Sequence, residues 1–126
     1  MKVTDTAVTF TWKEQRNGIS SLRRAKKLFA GGKRWITGAF KETYENGIHF
    51  CSIGAIREAD GAGENIALAA LNCALNKLGC VNADFYVDDT GIIMNYNDCT
   101  AEDYRDISKL FDSAMRILKR GEHKCI

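Results

Sequence analysis

Two histidine–cysteine pairs, His49-x-Cys51 and His123-x-Cys125, are the residues of this chain best suited to chemistry. Together they offer four soft ligands, and a fold that brought both pairs to one point could hold a tetrahedral zinc ion. The spacing is not that of a Cys-x-x-Cys knuckle, and the second pair lies beyond the last predicted helix, so no metal and no cofactor are expected. Cys51 supports a second idea. A thiol at the start of a helix feels the dipole, its pKa falls, and His49, two residues away, is placed to act as a base. No third orienting group or oxyanion motif accompanies the pair, so no catalytic residue is assigned. A small cysteine-dependent enzyme centred on Cys51 is an alternative; the simpler reading is a core cysteine beside Gly54. Gly31-Gly32-Lys33 lacks the frame of a phosphate-binding loop, and a helix stop accounts for it.

Charge is distributed more informatively than the net +2 suggests. Residues 1–42 hold ten Lys or Arg against three acids, net +7, and the rest hold eight against thirteen, net −5. Such asymmetry points to an electrostatic partner or to two halves that neutralise one another. In the basic segment 16–34, Arg23 and Lys27 stand one turn apart, where like charges repel, with Arg24, Lys33 and Arg34 nearby. Some anion must relieve them: counterions, the acids of 84–106, a phosphate backbone or an acidic protein. Trp12 or Trp35 could add a stacking surface, although a domain this small more often buries its tryptophans. Nucleic-acid binding by this segment is therefore one alternative.

The leading expectation uses the opposite charge. Asp84, Asp88, Asp89, Asp98, Glu102, Asp103 and Asp106 are seven acids against Arg105 alone. With Asp84, Asp88, Asp89, Asp98 and Asp106 as the contact face, the stretch could imitate a phosphate backbone toward a protein partner that handles nucleic acid. The calcium-loop spacing is absent, and turns and helix caps account for several of these acids.

The elements that must position these residues follow from periodicity. Residues 7–12 alternate as an early strand closed by Asn17-Gly18. A helix over about 20–30 carries Leu22, Ala25 and Phe29 and stops at Gly31-Gly32. Asn46-Gly47 marks a turn in a small hairpin around 35–50. Residues 51–59 form a short helix whose Gly54 and Ala55 admit another backbone. The helix 64–78 is the central buried one, with Asn65, Asn72 and Asn76 as its wet face. Val81 to Met94 read as a hairpin, its strands expected to join 7–12 in one small antiparallel sheet. Helix 101–120 carries Thr100 and Asp103 at capping spacing and ends at Gly121. Leu68, Leu71, Leu75, Leu110, Phe111 and Ile117 should share one core. The expected class is α+β, three main helices and one short helix with a small antiparallel sheet, in a single domain spanning 1–126.

With 45% hydrophobic and 27% charged residues the chain falls in the globular class. No apolar run reaches the roughly 20 residues of a membrane span. The start of the chain lacks a signal-peptide core, and five cysteines are an odd number, so a cytoplasmic protein with free thiols is expected.

Four short motifs, Leu22-Arg23-Arg24-Ala25, Trp35-x-x-Gly38-Ala39, Cys51-x-x-Gly54-Ala55-Ile56-Arg57 and Asn97-Asp98-x-Thr100, lie ahead of the final helix. Together they resemble a family of small uncharacterised domains found in actinobacteria and bacteriophages. The match covers about 22–118, with Tyr96 where the family usually has tryptophan. The resemblance implies a helical core and a phage or mobile-element origin, and no mechanism. The function expected is that of a small non-enzymatic protein-interaction module, a phage inhibitor of a host defence protein.

Overall fold

Thr11 starts the first helix. Its hydroxyl accepts the Glu14 amide at 3.2 Å while the Glu14 carboxylate accepts the Thr11 amide at 2.9 Å, a reciprocal capping box. Helix α1 consequently runs Trp12–Leu28, eight residues earlier than the expected Ser20 start. Trp12 and Asn17-Gly18 lie within it and neither ends nor closes a strand. Gly18 is a crossing point: a Cβ there would stand 2.7 Å from both Ile66 and Leu118 side-chain carbons. The helix stops where expected, in a tight turn at Ala30–Gly32 with Gly31 left-handed at φ 68.

The computed structural model describes residues 1–4, 7–59, 61–80 and 90–124. Ahead of α1 come strands β1 (Lys2–Val3) and β2 (Ala7–Thr9); after it, β3 (Lys41–Tyr44) and β4 (Gly47–Phe50) form the hairpin foreseen around 35–50. Helices α2 (Ser52–Ala59) and α3 (Glu64–Lys77) follow at nearly the expected bounds. Gly54 admits a backbone, as its lack of bulk suggested: a Cβ there would lie 1.8 Å from the Phe40 carbonyl oxygen, which accepts the Cys51 amide at 3.1 Å. All of α3 from Ile66 to Leu75 is buried, Asn72 included, so the wet face is narrower than the three asparagines implied.

Two expectations fail beyond α3. Ile92-Ile93-Met94 is not a strand but part of α4 (Thr90–Asn95). Ile93 is fully buried where α4 packs on α2 and α3, and this tertiary burial outweighs the strand preference of β-branched residues. The other half of the expected hairpin, Val81 to Asp89, lies outside the described residues. A π-turn, Tyr96–Thr100, then leads to α5 (Tyr104–Arg120). Thr100 belongs to that turn, so Asp103 alone caps α5, its carboxylate accepting the Arg105 amide at 2.9 Å.

Gly121, left-handed at φ 79, ends α5 and turns the chain into β5 (Glu122–Lys124). That strand pairs with β2, with Val8 opposite His123, where residues 90–96 of the expected partner region are helical; the three-stranded order is β1-β2-β5, antiparallel. The Phe10 amide donates to the Gly121 carbonyl at 2.7 Å and Gln15 Nε2 to that of Leu118 at 2.7 Å, locking the start of α1 to the end of α5. The fold is α+β, and its buried side chains form one cluster that includes Leu68, Leu71, Leu75, Leu110, Phe111 and Ile117. Among the described residues no helix is long and apolar enough to cross a membrane.

Candidate functional site

The buried residues of α1 are Gly18, Ser21, Leu22 and Ala25. At about 100° per residue, Trp12, Arg16, Ser20, Arg23 and Lys27 fall in one stripe on the opposite side, flanked by Lys13 and Arg24, and all seven are exposed. That face carries no acid. Glu14, the sole acid of α1, points elsewhere: its carboxylate is taken by Thr11 and by the amino terminus of Met1. Burial opposes its ionisation, but the hydrogen bonds from the amino terminus and Thr11 win and hold its carboxyl below the usual value. Trp12 is 70% exposed, against the expectation of a buried indole, and the Arg16 guanidinium lies 4.7 Å from its ring centroid.

The basic residues singled out from the sequence divide three ways. Arg23 and Lys27 come together and, with Lys26, Gly31, Tyr104 and Ser108, line an open groove of about 410 Å³ between α1 and the start of α5. Lys26 is neutralised by Asp112 at 2.6 Å. Arg24 and Arg34 have structural work: Arg24 Nη1 donates to the Ala59 carbonyl at 2.6 Å, tying α1 to the end of α2, and Arg34 Nη2 donates to the Asn46 carbonyl at 2.9 Å, bracing the hairpin. Lys33 is exposed on the turn after α1. Sequence reading named Trp12 as a possible stacking surface but missed Lys13, and did not place either on this helix face, because it put residue 12 in a strand. The signal was Thr11-x-x-Glu14, a capping box in plain view.

The proposed acidic face fares differently. Asp84, Asp88 and Asp89 lie outside the described residues. Asp98 Oδ1 accepts the Gly38 amide at 3.1 Å and Asn97 Nδ2 at 2.8 Å, and Asp106 Oδ2 accepts the Glu102 amide at 2.9 Å. Both acids therefore accept backbone amides within the fold, Asp98 from a distant loop and Asp106 from the preceding turn. The hydrogen bond from the Arg105 guanidinium holds the Asp103 carboxyl below its ordinary value.

The motif segments around Trp35, Cys51 and Asn97 meet in a buried polar cluster. Asn97, 1% exposed, accepts through Oδ1 from Trp35 Nε1 at 2.8 Å, the Ser52 amide at 3.0 Å and Ser52 Oγ at 2.7 Å. Its Nδ2 donates to the Ile36 carbonyl at 3.1 Å as well as to Asp98. One side chain thus joins the 35–38 loop, the start of α2 and the π-turn. Beside it Gly38, Ala39, Phe40, Cys51, Met94 and Asp98 line a cavity of about 160 Å³.

Cys51 does not have the surroundings of a nucleophile. It is 4% exposed, its Sγ accepts the Gly54 amide at 3.4 Å, and burial pushes its thiol up despite the amides at the helix start. His49 is engaged by Asn46 Oδ1 at 2.9 Å and lies against the Tyr44 ring, centroids 4.5 Å apart. His123 is in β5, and Cys125 lies outside the described residues. Among the described residues no three His, Cys, Asp or Glu side chains are grouped to hold a metal. No protein-family description, curated protein or solved structure matches the chain.

Proposed function

We propose that this chain is a small binding module that holds a polyanion, the phosphate backbone of a nucleic acid, along the outer face of α1. The observation that carries the reading is the acid-free exposed stripe of Arg16, Arg23 and Lys27, flanked by Lys13, opposite the buried face of the helix. Like charges one turn apart repel by a few tenths of a kcal/mol per pair, roughly, and a helix that keeps them with no acidic partner among the described residues is relieved when an anion binds. Phosphates do so and release condensed counterions, which makes affinity salt-dependent. The face is convex and helical, and no sequence-specific readout is assigned to it.

The test is fluorescence anisotropy of labelled DNA and RNA oligonucleotides in low and physiological salt, with wild type beside a Lys13/Arg16/Arg23/Lys27→Ala quadruple variant. The wild type should bind at low salt, weaken as salt rises and do so for every sequence, and the quadruple variant should not bind. Binding that survives the quadruple substitution would refute the placement on α1.

A further inference from the structure

Resting on that reading, we infer that the nucleic acid is single-stranded and that an unpaired base stacks on Trp12. Two observations combine: cations account for backbone attraction, and an exposed indole held among them by Arg16 offers a flat apolar surface that phosphates do not use. Among the described residues Trp12 is the most exposed of the large hydrophobic side chains, at 70%, on a face that otherwise carries basic residues and Ser20. Of these residues, Arg16 lies against its ring. Its partner Arg16 sits one helical turn on, with the guanidinium 4.7 Å from the ring centroid, so the ring is oriented by a cation–π contact before any ligand arrives.

A duplex cannot use this arrangement. Its bases are stacked on each other, and a helix face lying across it meets sugars and phosphates, leaving the indole without a flat partner. A single strand presents the π-faces of its bases while its phosphates track a basic surface, the combination found in sequence-tolerant single-strand binding. From Trp12 to Lys27 the stripe is about 22 Å long at 1.5 Å per residue, so base and phosphates can be engaged by one extended stretch of strand. The groove at its far end, lined by Arg23, Lys27 and Tyr104, continues the positive surface. An acidic protein segment would satisfy the cations equally well but would leave the ring idle.

Intrinsic fluorescence separates these cases, because the chain has two tryptophans and the other, Trp35, is half-buried with its Nε1 bonded to Asn97. Titrations with oligo-dT, a hairpin duplex of equal charge and polyglutamate are compared by anisotropy and by tryptophan emission. Oligo-dT should quench wild type and bind more tightly than the duplex; polyglutamate should cause no quenching. Trp12→Ala should weaken oligo-dT binding about five- to 150-fold, the range for loss of one stacked base, and Trp12→Phe should keep most of the affinity while abolishing the quench. Oligo-dT binding without quenching, equal or tighter duplex binding, or polyglutamate binding as tightly as oligo-dT would each overturn the inference while leaving a basic polyanion face in place. No binding of any polyanion would overturn both this inference and the reading it rests on.

Discussion

Replacing Asn97 with alanine should be among the most damaging single changes in this protein. The side chain makes five hydrogen bonds, three accepted by Oδ1 and two donated by Nδ2. Ser52 is fully buried and opens α2, so its amide has no intrahelical acceptor and its hydroxyl no water. Leaving two such groups unsatisfied at about 1–3 kcal/mol each predicts a loss of about 2–6 kcal/mol, against a typical total of about 5–15 kcal/mol. Trp35, only half-buried, can turn its Nε1 to water and adds less. Asn97→Asp is the discriminating companion, since it keeps the acceptor but sets a second carboxylate oxygen against the Ile36 carbonyl and Asp98. It should destabilise as well, and Asp98→Asn should recover part of that loss by removing the repulsion. Urea unfolding followed by circular dichroism measures all three. An Asn97→Ala variant that loses less than about 1 kcal/mol, or no recovery in the double variant, would refute the assignment of the cluster as the tie between loop, α2 and π-turn.

Gly54→Ala should cost about 3 kcal/mol or more, because its Cβ would fall 1.8 Å from a backbone oxygen that cannot swing away; a melting temperature close to wild type would contradict this. Alkylation of the native protein followed by peptide mapping should modify Cys80 and Cys99 quickly and the buried Cys51 and Cys73 only after unfolding. Reaction of native Cys51 as fast as Cys99 would restore the activated thiol. Burial, with the positive charges of Lys77 and Arg120, holds the His123 imidazole below its ordinary value even though a hydrogen bond with the Cys73 backbone opposes this. The unfolded chain therefore takes up that proton first as pH falls, and stability should drop as pH passes downward through about 6.5, less so in His123→Gln. Equal pH profiles for the two proteins would contradict that assignment.

What the sequence disclosed depended on how local the determinant was. Helices α3 and α5 announced themselves through apolar periodicity, and Gly31, Asn46-Gly47 and Gly121 through turn chemistry acting over a few residues. The start of α1 was hidden because 7–12 also alternates with period two, and the reciprocal bonds of Thr11 and Glu14 decide against a strand reaching Trp12. The partner of β2 was invisible: pairing Val8 with His123 closes nearly the whole chain, and no short-range pattern encodes it. Asn97 stood out as part of a short motif ahead of the final helix, and only the convergence of three distant segments makes it a buried hub. For the candidate site, the like-charged Arg23 and Lys27 were legible, whereas the acids of the rival face proved, at Asp98 and Asp106, to be satisfied by backbone amides.

The central claim, that α1 presents its outer face to a phosphate backbone, is tested most directly by the slope of log affinity against log salt. If Lys13, Arg16, Arg23 and Lys27 each displace one counterion from a single strand, the slope is about −2.8, a loss of about 50-fold between 50 and 200 mM salt. Arg23→Ala with Lys27→Ala should halve the slope to about −1.4, a loss of about sevenfold over the same range. A wild-type slope near zero, or a slope unchanged by the double substitution, would contradict the account.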